Sequence, residues 1–216
     1  MKKSFLVGLF LLISVGIIAQ NPFEKEIEAY EAKDKINMPH PGMRLFIGSS
    51  SFRIWKDMYE DLIGYEVINR GFGGSQLSDV LYFYDRMVKK YQPSWIFLYE
   101  GDNDTNAGKS PQQVYDEFMQ LVSWVKRDMP KTKIVFVAIK PSISRFKLVD
   151  VQRNLHELIL KEVIKDKDLF FIDTHNPFFN SNAELMQDVF LKDGLHLNKK
   201  GYSIFGGAIL DFLKSH

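Results

Sequence analysis

A serine in the first half of the chain and an Asp–His pair near its end have the residue types that perform acyl transfer. Ser50 lies in the stretch Gly48-Ser49-Ser50-Ser51, and Asp193 and His196 stand three residues apart. A serine hydroxyl becomes a useful nucleophile when an imidazole accepts its proton, and that imidazole needs a carboxylate to hold its tautomer. These residues predict a triad in which Ser50 is the nucleophile, His196 the base and Asp193 the acid.

A second set of residues has the types needed to bind the oxyanion of a tetrahedral intermediate. Such an anion is stabilised by hydrogen-bond donors aimed at it, and removing one donor typically slows the reaction by about 10²–10³-fold. The sequence offers a backbone N–H in the Gly73–Gly74 turn, the side-chain amide of Asn103 and the N–H of Ser50. These groups predict an oxyanion hole formed by Ser50, the Gly73–Gly74 turn and Asn103.

Each of these short motifs also has a purely structural interpretation. A Gly-Ser-Ser-Ser turn commonly joins a strand to a helix, with serine as the helix cap, and glycines allow tight turns. Gly101-Asp102-Asn103-Asp104 is by itself a good turn sequence. Asp193 and His196 could belong to a solvated loop. The catalytic interpretation is favoured over the structural one because all four motifs are predicted to lie along one edge of a sheet.

The elements that must bring these motifs together are alternating strands and helices. Short apolar runs rich in Ile, Val and Phe predict buried strands. They are Arg44–Ile47, Glu66–Ile68, Trp95–Tyr99, Ile134–Ile139 and Leu169–Ile172. Strands that alternate with helices predict a parallel sheet covered on both faces. Ligands bind beyond the carboxyl ends of such strands, which is where the motifs follow.

Helix signals mark the segments between the strands. Six apolar residues fall on one helical face: Leu77, Val80, Leu81, Tyr84, Val88 and Tyr91. Ser110-Pro111-Gln112-Gln113 is a capping-box start with proline at the first helical position. A further helix is predicted over roughly Leu148–Lys165, and Asn198 is predicted to cap a last helix that runs to the C-terminus.

The ordered set of motifs resembles the sequence blocks of the SGNH hydrolases, also called GDSL-like hydrolases. The blocks are Gly48-Ser49-Ser50 with Trp55, Asn69 to Gly74, Gly101-x-Asn103-Asp104 and Asp193-x-x-His196. They span residues 45–198, and the ordered set is specific although each block is short. The resemblance implies an α/β fold with three layers (α/β/α), a flavodoxin-like arrangement whose five-stranded parallel sheet has the order 2-1-3-4-5.

The resemblance also implies a role for each site residue. It implies Ser50 as nucleophile, Gly74 and Asn103 as oxyanion donors, His196 as base and Asp193 as acid. Ser49 and Ser51 compete with Ser50 on sequence alone, and the register with Trp55 favours Ser50. One position departs from the family, because Ser49 stands where the eponymous motif has Asp. That departure leaves the local support of Ser50 open.

Several other residues have two interpretations. Asp173 is the rival acid and His175 the rival base, although a structural role is favoured for His175, and His156 is predicted on a surface or boundary face of a helix. Arg53 and Arg70 could bind an acidic group of the substrate or form surface ion pairs. Three aromatic residues could line an acyl pocket or belong to the core: Phe72, Phe178 and Phe179.

The favoured function is hydrolysis of short-chain esters, with O-acetyl groups of carbohydrates as the expected substrate. Lysophospholipase or arylesterase activity on the same fold is an alternative. A second hypothesis is metal-assisted hydrolysis by Asp102, Asp104, Asp193 and His196. A third is a non-catalytic carbohydrate-binding relative. The triad mechanism needs no metal and no cofactor.

Composition limits the partners. The 216 residues suit one domain of ordinary size, and the net charge of +1 predicts no strong attraction to nucleic acid or anionic membranes. The absence of Cys excludes disulfides, thiol catalysis, Cys-based zinc sites and a lipoprotein anchor. The favoured chemistry makes a small ester or acetylated carbohydrate the expected partner, with no nucleic acid, and the oligomeric state is left open.

The N-terminus has the pattern of a secretory signal peptide. Lys2 and Lys3 precede an apolar run from Phe5 to Ala19, which is short for a bilayer span. We expect cleavage near Ala19, a periplasmic or secreted product and no stable membrane anchor. The predicted organisation is a signal peptide over residues 1–19, a docking helix and linker over 20–43, and an SGNH hydrolase domain over 44–216.

Overall fold

Five parallel strands form one sheet in the order β2-β1-β3-β4-β5. The strands are β1 (Arg44–Gly48), β2 (Val67–Gly71), β3 (Trp95–Tyr99), β4 (Lys133–Val137) and β5 (Leu169–Ile172). The computed structural model describes residues 21–216. The sheet order and the strand–helix alternation confirm the three-layer, flavodoxin-like fold.

Side chains alternate between the two faces of the sheet, as the period of a strand requires. Leu45 and Ile47 of β1 belong to one buried cluster, and Phe46 between them belongs to the other. Phe46 also stacks on Phe97 of β3, with ring centroids 4.5 Å apart. Because both faces are apolar, each must be covered by helices.

Nine α-helices occur within residues 21–216 and cover the sheet. They are α1 (Glu24–Ile36), α2 (Ser50–Arg53), α3 (Met58–Asp61), α4 (Leu77–Tyr82), α5 (Tyr84–Met87), α6 (Asp102–Asn106), α7 (Pro111–Asp128), α8 (Val149–Val163) and α9 (Lys199–Ser215). The buried residues of α1, α4, α5, α7 and α8 pack on one face, and those of α2, α3 and α9 pack on the other. The predicted caps are present, since Ser110 accepts from the Gln113 N–H and Asn198 from the Gly201 N–H.

The predicted elements that differ most in extent from those observed are the second strand, the fourth strand and the helix that follows β2. Strand β4 ends at Val137, not at Ile139. Strand β2 continues through Gly71, because its pairing with β1 runs in register to the Gly48–Gly71 pair. The helix predicted from Leu77 onward is broken into α4, α5 and a 3-10 turn. The break between α4 and α5 lies at Phe83, whose buried ring packs edge-on against Phe72.

Helix α1 is fixed to the domain by buried contacts. Ile27 is fully buried, and the Tyr30 hydroxyl donates to the Gly71 carbonyl at 2.5 Å. The buried Asp34 carboxylate accepts hydrogen bonds from Arg70 and from the Tyr91 hydroxyl. Arg70 is therefore an internal partner of α1, which excludes the predicted alternative that it binds substrate.

An irregular segment, residues 173–198, joins β5 to α9 and returns the chain to the carboxyl edge of the sheet. Two isolated antiparallel bridges, Phe179–Leu185 and Phe190–Leu197, shape it. Over residues 21–216, no helix combines the length and apolar character that a bilayer crossing requires. The predicted signal peptide lies outside the described residues.

Candidate active site

Ser50 is placed by a turn in which two backbones approach each other closely. Gly48 ends β1 at a φ of +134°, and a Cβ atom there would lie 2.1 Å from the Tyr99 carbonyl oxygen. Only glycine fits this position. The Ser49 N–H then donates to that same carbonyl, and α2 starts at Ser50. The turn directs the start of α2 toward the carboxyl edge of the sheet.

The structure brings Ser50, His196 and Asp193 into one hydrogen-bonded line. Ser50 Oγ lies 3.2 Å from His196 Nε2, and His196 Nδ1 lies 2.6 Å from Asp193 Oδ2. With the Nδ1 proton donated to the carboxylate, Nε2 has a free lone pair that can accept the Ser50 proton. Ser50 and His196 are far apart in sequence, so this contact is produced by the fold.

Asp193 also organises its own loop. Its Oδ1 accepts the backbone N–H groups of Leu195 and His196 at 2.9 and 3.0 Å. The hydrogen bond from the His196 ring, helped by these two backbone donors, lowers the pKa of Asp193 to about 2. A carboxylate held in this way is ionised at neutral pH and fixes the orientation of the imidazole.

The backbone N–H groups of Ser50 and Gly74 have no acceptor within residues 21–216. Gly74 has a φ of +90°, which suits glycine, and its N–H makes no hydrogen bond in that range. The Ser50 N–H opens α2, where the first donors of a helix lack intrahelical partners. Both residues line the same pocket as His196 and Asn103. These unpaired donors have the character that an oxyanion site requires.

The Asn103 amide forms hydrogen bonds through both its nitrogen and its oxygen. Its Nδ2 donates to Ser49 Oγ at 2.6 Å and to the Ser75 carbonyl at 2.9 Å, and its Oδ1 accepts from Arg145 Nη1 at 3.1 Å. The bond from Arg145 fixes which way the amide points. The Ser49 hydroxyl, standing where the family has Asp, thus contacts the amide of Asn103.

The site pocket is an open cavity of about 470 Å³. Its lining residues are Ser50, Arg53, Ile54, Gly73, Gly74, Asn103, Arg145, Leu191, Leu195 and His196. Phe72 and Phe178 are fully buried in the core, and neither they nor Phe179 line this pocket. The acyl-pocket interpretation of those aromatic residues is therefore wrong for this cavity.

The family model of GDSL-like lipases and acylhydrolases matches residues 46–204 of the sequence. The match covers well over half of the chain, including Ser50, Gly74, Asn103, Asp193 and His196. The chain belongs to the GDSL-like lipase/acylhydrolase family. The resemblance to SGNH hydrolases is thereby confirmed, and membership identifies the chain as a hydrolase of the acylhydrolase and esterase class. No curated protein matches the sequence.

Solved structures with the same fold include three hydrolases. A GDSL-like lipase from Bacteroides thetaiotaomicron is 18% identical, with a TM-score of 0.70 over 88% of this chain and 97% of the other. A carbohydrate esterase family 3 protein from Talaromyces cellulolyticus is 17% identical (TM-score 0.65, coverage 82% and 97%). A family 3 carbohydrate esterase from Clostridium thermocellum is 14% identical (TM-score 0.62, coverage 81% and 98%). At these identities the likeness concerns the fold.

The rival residues of this GDSL-like protein lie elsewhere. His175 is buried and its Nδ1 donates to the Ile139 carbonyl, while the Asp173 carboxylate accepts N–H groups of its own loop. His156 is buried as well, which corrects the prediction of a surface or boundary position. Its Nε2 accepts the Ile139 N–H at 2.9 Å, and burial lowers its pKa to about 3. Both histidines thus hold the chain after β4.

The acids of the metal hypothesis have protein partners. Asp104 is buried and accepts from the N–H groups of Leu77 and Gly101 and from Lys109. Asp102 forms an ion pair with Arg145. In the part of the chain that the structure describes, no group of three or more His, Cys, Asp or Glu side chains is placed to hold a metal ion.

A buried pair supports the oxyanion side and was missed from the sequence. Ser75 Oγ lies 2.5 Å from Glu100 Oε1 and 2.9 Å from the Phe72 carbonyl. Both contacts are satisfied only if Glu100 is protonated, because a hydroxyl has one hydrogen. Burial, and secondarily the charge of Asp104, raise the pKa of Glu100 well above its usual range. Both observations favour the protonated form of Glu100, in which the carboxyl group can donate to Ser75 Oγ.

Lys140 supports the acid–base side and was also missed. Its buried Nζ donates to the Leu195 carbonyl at 2.7 Å, inside the loop that carries Asp193 and His196. Burial lowers the pKa of this lysine. A charged residue after an apolar run is the only signal in the sequence, and that signal is equally typical of a solvated strand end.

Proposed function

We propose that this GDSL-like protein is an exported serine esterase that removes short acyl groups, chiefly O-acetyl groups on carbohydrates. The observation that carries the proposal is the line from Ser50 through His196 to Asp193, with distances of 3.2 and 2.6 Å. Such a line activates a hydroxyl for attack on an ester carbonyl. The carboxylic ester hydrolase class follows from this chemistry.

In the proposed reaction, the Ser50 proton passes to His196 Nε2 as Oγ bonds to the ester carbonyl carbon. The carbonyl oxygen becomes an oxyanion that accepts hydrogen bonds from the backbone N–H groups of Ser50 and Gly74. His196 then gives its proton to the departing alcohol as the ester C–O bond breaks. Water then attacks the acyl carbon while His196 takes its proton. As the bond between that carbon and Ser50 Oγ breaks, His196 returns the proton to Ser50, and the carboxylic acid is released.

Asn103 supplies the third oxyanion donor in this proposal. Both hydrogens of its amide already have acceptors, Ser49 Oγ and the Ser75 carbonyl. We expect the developing oxyanion to take over the hydrogen now donated to Ser49, because a negatively charged acceptor forms the stronger bond. A neutral serine at position 49 makes this exchange easier than a charged aspartate would.

The preference for short acyl groups and carbohydrate esters rests on the pocket and on relatives. The pocket of about 470 Å³ carries polar and basic groups around Ser50, and its large apolar residues are Ile54, Leu191 and Leu195. Two structural neighbours are named as carbohydrate esterases. Export is supported by Lys2, Lys3 and the apolar run to Ala19 in the sequence.

An ester panel on the protein beginning at Gln20 tests the activity. Acetyl to decanoyl p-nitrophenyl esters and acetylated xylan and pectin are compared by kcat/KM. A serine-directed fluorophosphonate is expected to label Ser50, with peptide mapping as the readout. Highest activity on decanoyl esters would favour a lysophospholipase, and absence of both labelling and hydrolysis would favour a non-catalytic binder. Recovery of the full-length product in the cytoplasm of a Gram-negative host would contradict export.

A further inference from the structure

Two charged side chains line the site pocket, and both are basic: Arg53 and Arg145. Each has an acidic partner that does not line the pocket, Glu26 for Arg53 and Asp102 for Arg145. The cationic ends therefore face the cavity and the acids stand behind them. This orientation favours a negative group in the pocket although the charges balance overall.

Arg53 lines the pocket, and part of its guanidinium group has no hydrogen-bond partner within residues 21–216. It lies three residues after Ser50 on α2, and its Nε is paired with Glu26 of α1. It occupies the space left by Gly73, where a Cβ atom would lie 2.9 Å from Arg53 Nη1. Within residues 21–216, neither Nη atom has a hydrogen-bond acceptor, and about half of the side chain (49%) is exposed.

Arg145 stands at the Asn103 side of the pocket. Its Nη1 is shared between Asp102 and Asn103, at 3.0 and 3.1 Å. Because it also fixes the amide of Asn103, its loss would disturb the oxyanion side for every substrate. Arg53 makes no contact of this kind with Ser50, His196 or Asn103, and it is therefore the residue through which charge recognition can be tested separately.

We propose that the pocket selects esters whose alcohol part carries a carboxylate, as in an O-acetylated uronic acid, and that Arg53 binds this carboxylate through its Nη atoms. The planar guanidinium fork matches a carboxylate. The acetyl group that the proposed reaction removes carries no charge, so the carboxylate must be on the alcohol. The inference rests on the proposed esterase function and names its substrate class.

Helix α1 is part of this subsite. Glu26 orients Arg53 from behind and also approaches the Gly73 N–H at 3.4 Å. The helix lies outside residues 46–204, the part matched by the family model. Selection for an acidic substrate would therefore be supported by a helix outside the segment that the family model matches.

The test compares two substrates that differ in charge alone, an O-acetylated trigalacturonate with free carboxylates and the same compound with its carboxyls amidated. Acetate release gives kcat/KM for each. We expect the wild type to prefer the free acid by about ten-fold, which is typical of one hydrogen bond to a charged group. Arg53→Gln is expected to bring the ratio to within about three-fold of one, and Arg53→Lys to give an intermediate ratio.

Lys56→Gln is the matched control, since it removes one positive charge from an exposed side chain that does not line this pocket. Its ratio should equal that of the wild type. A wild-type ratio near one, or an unchanged ratio in Arg53→Gln, would overturn the inference while leaving the esterase function intact. If neither trigalacturonate nor p-nitrophenyl acetate is hydrolysed, the proposed function fails and the inference falls with it.

Discussion

The two sides of the candidate site are built differently. The acid–base side lies on an exposed loop, where the side chains of His196 and Asp193 are 30% and 48% exposed. The oxyanion side stands on fully buried polar residues: Ser75, Glu100 and Asp104. The loop orders itself largely through its own short-range bonds, whereas the buried network joins the ends of β2 and β3. Substitutions on the first side should thus cost activity alone, and those on the second should cost activity and stability together.

The largest effect is expected on the exposed side. Ser50→Ala and His196→Ala should each lower kcat by roughly 10⁴–10⁶-fold, because a triad acts as a unit. The double variant should be little worse than either. The free energy of unfolding of His196→Ala should stay within about 0.5 kcal/mol of wild type, as for other exposed positions. Steady-state kinetics and urea denaturation measure both, and continued fluorophosphonate labelling of Ser50→Ala would contradict the assignment.

Asp193→Asn tests whether the acid belongs to the same loop. The amide cannot stabilise the protonated imidazole, so kcat should fall by roughly 10²–10⁴-fold with little change in stability. Asp173→Asn is the matched control, since Asp173 only accepts bonds from the N–H groups of its own loop. Its kcat should remain within about three-fold of wild type. The reverse pattern would move the acid to Asp173.

Asn103→Ala should show the difference between the two sides of the site, because it should lower both activity and stability. Its kcat is expected to fall by about 10²–10³-fold with a small change in KM, because an oxyanion contact strengthens in the transition state. Unlike His196→Ala, it should also lower the free energy of unfolding by about 1–3 kcal/mol, since the Ser75 carbonyl loses its donor. A loss confined to KM would instead make Asn103 a residue of ground-state binding.

The loop on the acid–base side was predictable from the sequence, whereas the buried network on the oxyanion side was not. The strand order, the caps at Ser110 and Asn198 and the approach of Ser50 to the Asp193–His196 loop follow from local patterns combined with the family resemblance. Glu100 could not be predicted as a neutral acid, because its neutrality depends on burial and on the hydroxyl of Ser75. Local sequence carries no signal for either.

The position of His156 was also not predictable from the sequence. His156 has the helical spacing of a boundary residue, yet it is buried, and its Nε2 accepts the Ile139 N–H. Arg145 and Lys140 likewise contact Asn103 and the Leu195 carbonyl across loops that come together only when the chain folds. Helical and strand periods predict which face is apolar, but they do not predict which buried backbone groups will need a side-chain partner.

The smallest effect on activity is expected at Glu100, where a neutral substitute is available. Glu100→Gln should keep kcat within about three-fold of wild type, because the carboxamide still donates to Ser75 Oγ. Glu100→Leu removes that donor and should lower the free energy of unfolding by about 1–3 kcal/mol, with a loss of kcat through the Phe72–Ser75 turn. If Glu100→Gln loses as much as Glu100→Leu, an ionised Glu100 is required and the neutral form is wrong.

The dependence of stability on pH gives the sharper measurement at Glu100. Because its pKa is raised from the ordinary value of 4.5, the native state keeps a proton that the unfolded chain releases above that pH. The free energy of unfolding should therefore fall as the pH rises from about 5 toward the folded-state pKa, by at most about 1.4 kcal/mol per pH unit. Asp104, Asp79 and Lys109 face this group and are unchanged in Glu100→Gln. The variant should lack the slope, so its stability should gain on wild type with rising pH, whereas parallel curves in urea denaturation would contradict a buried proton on Glu100.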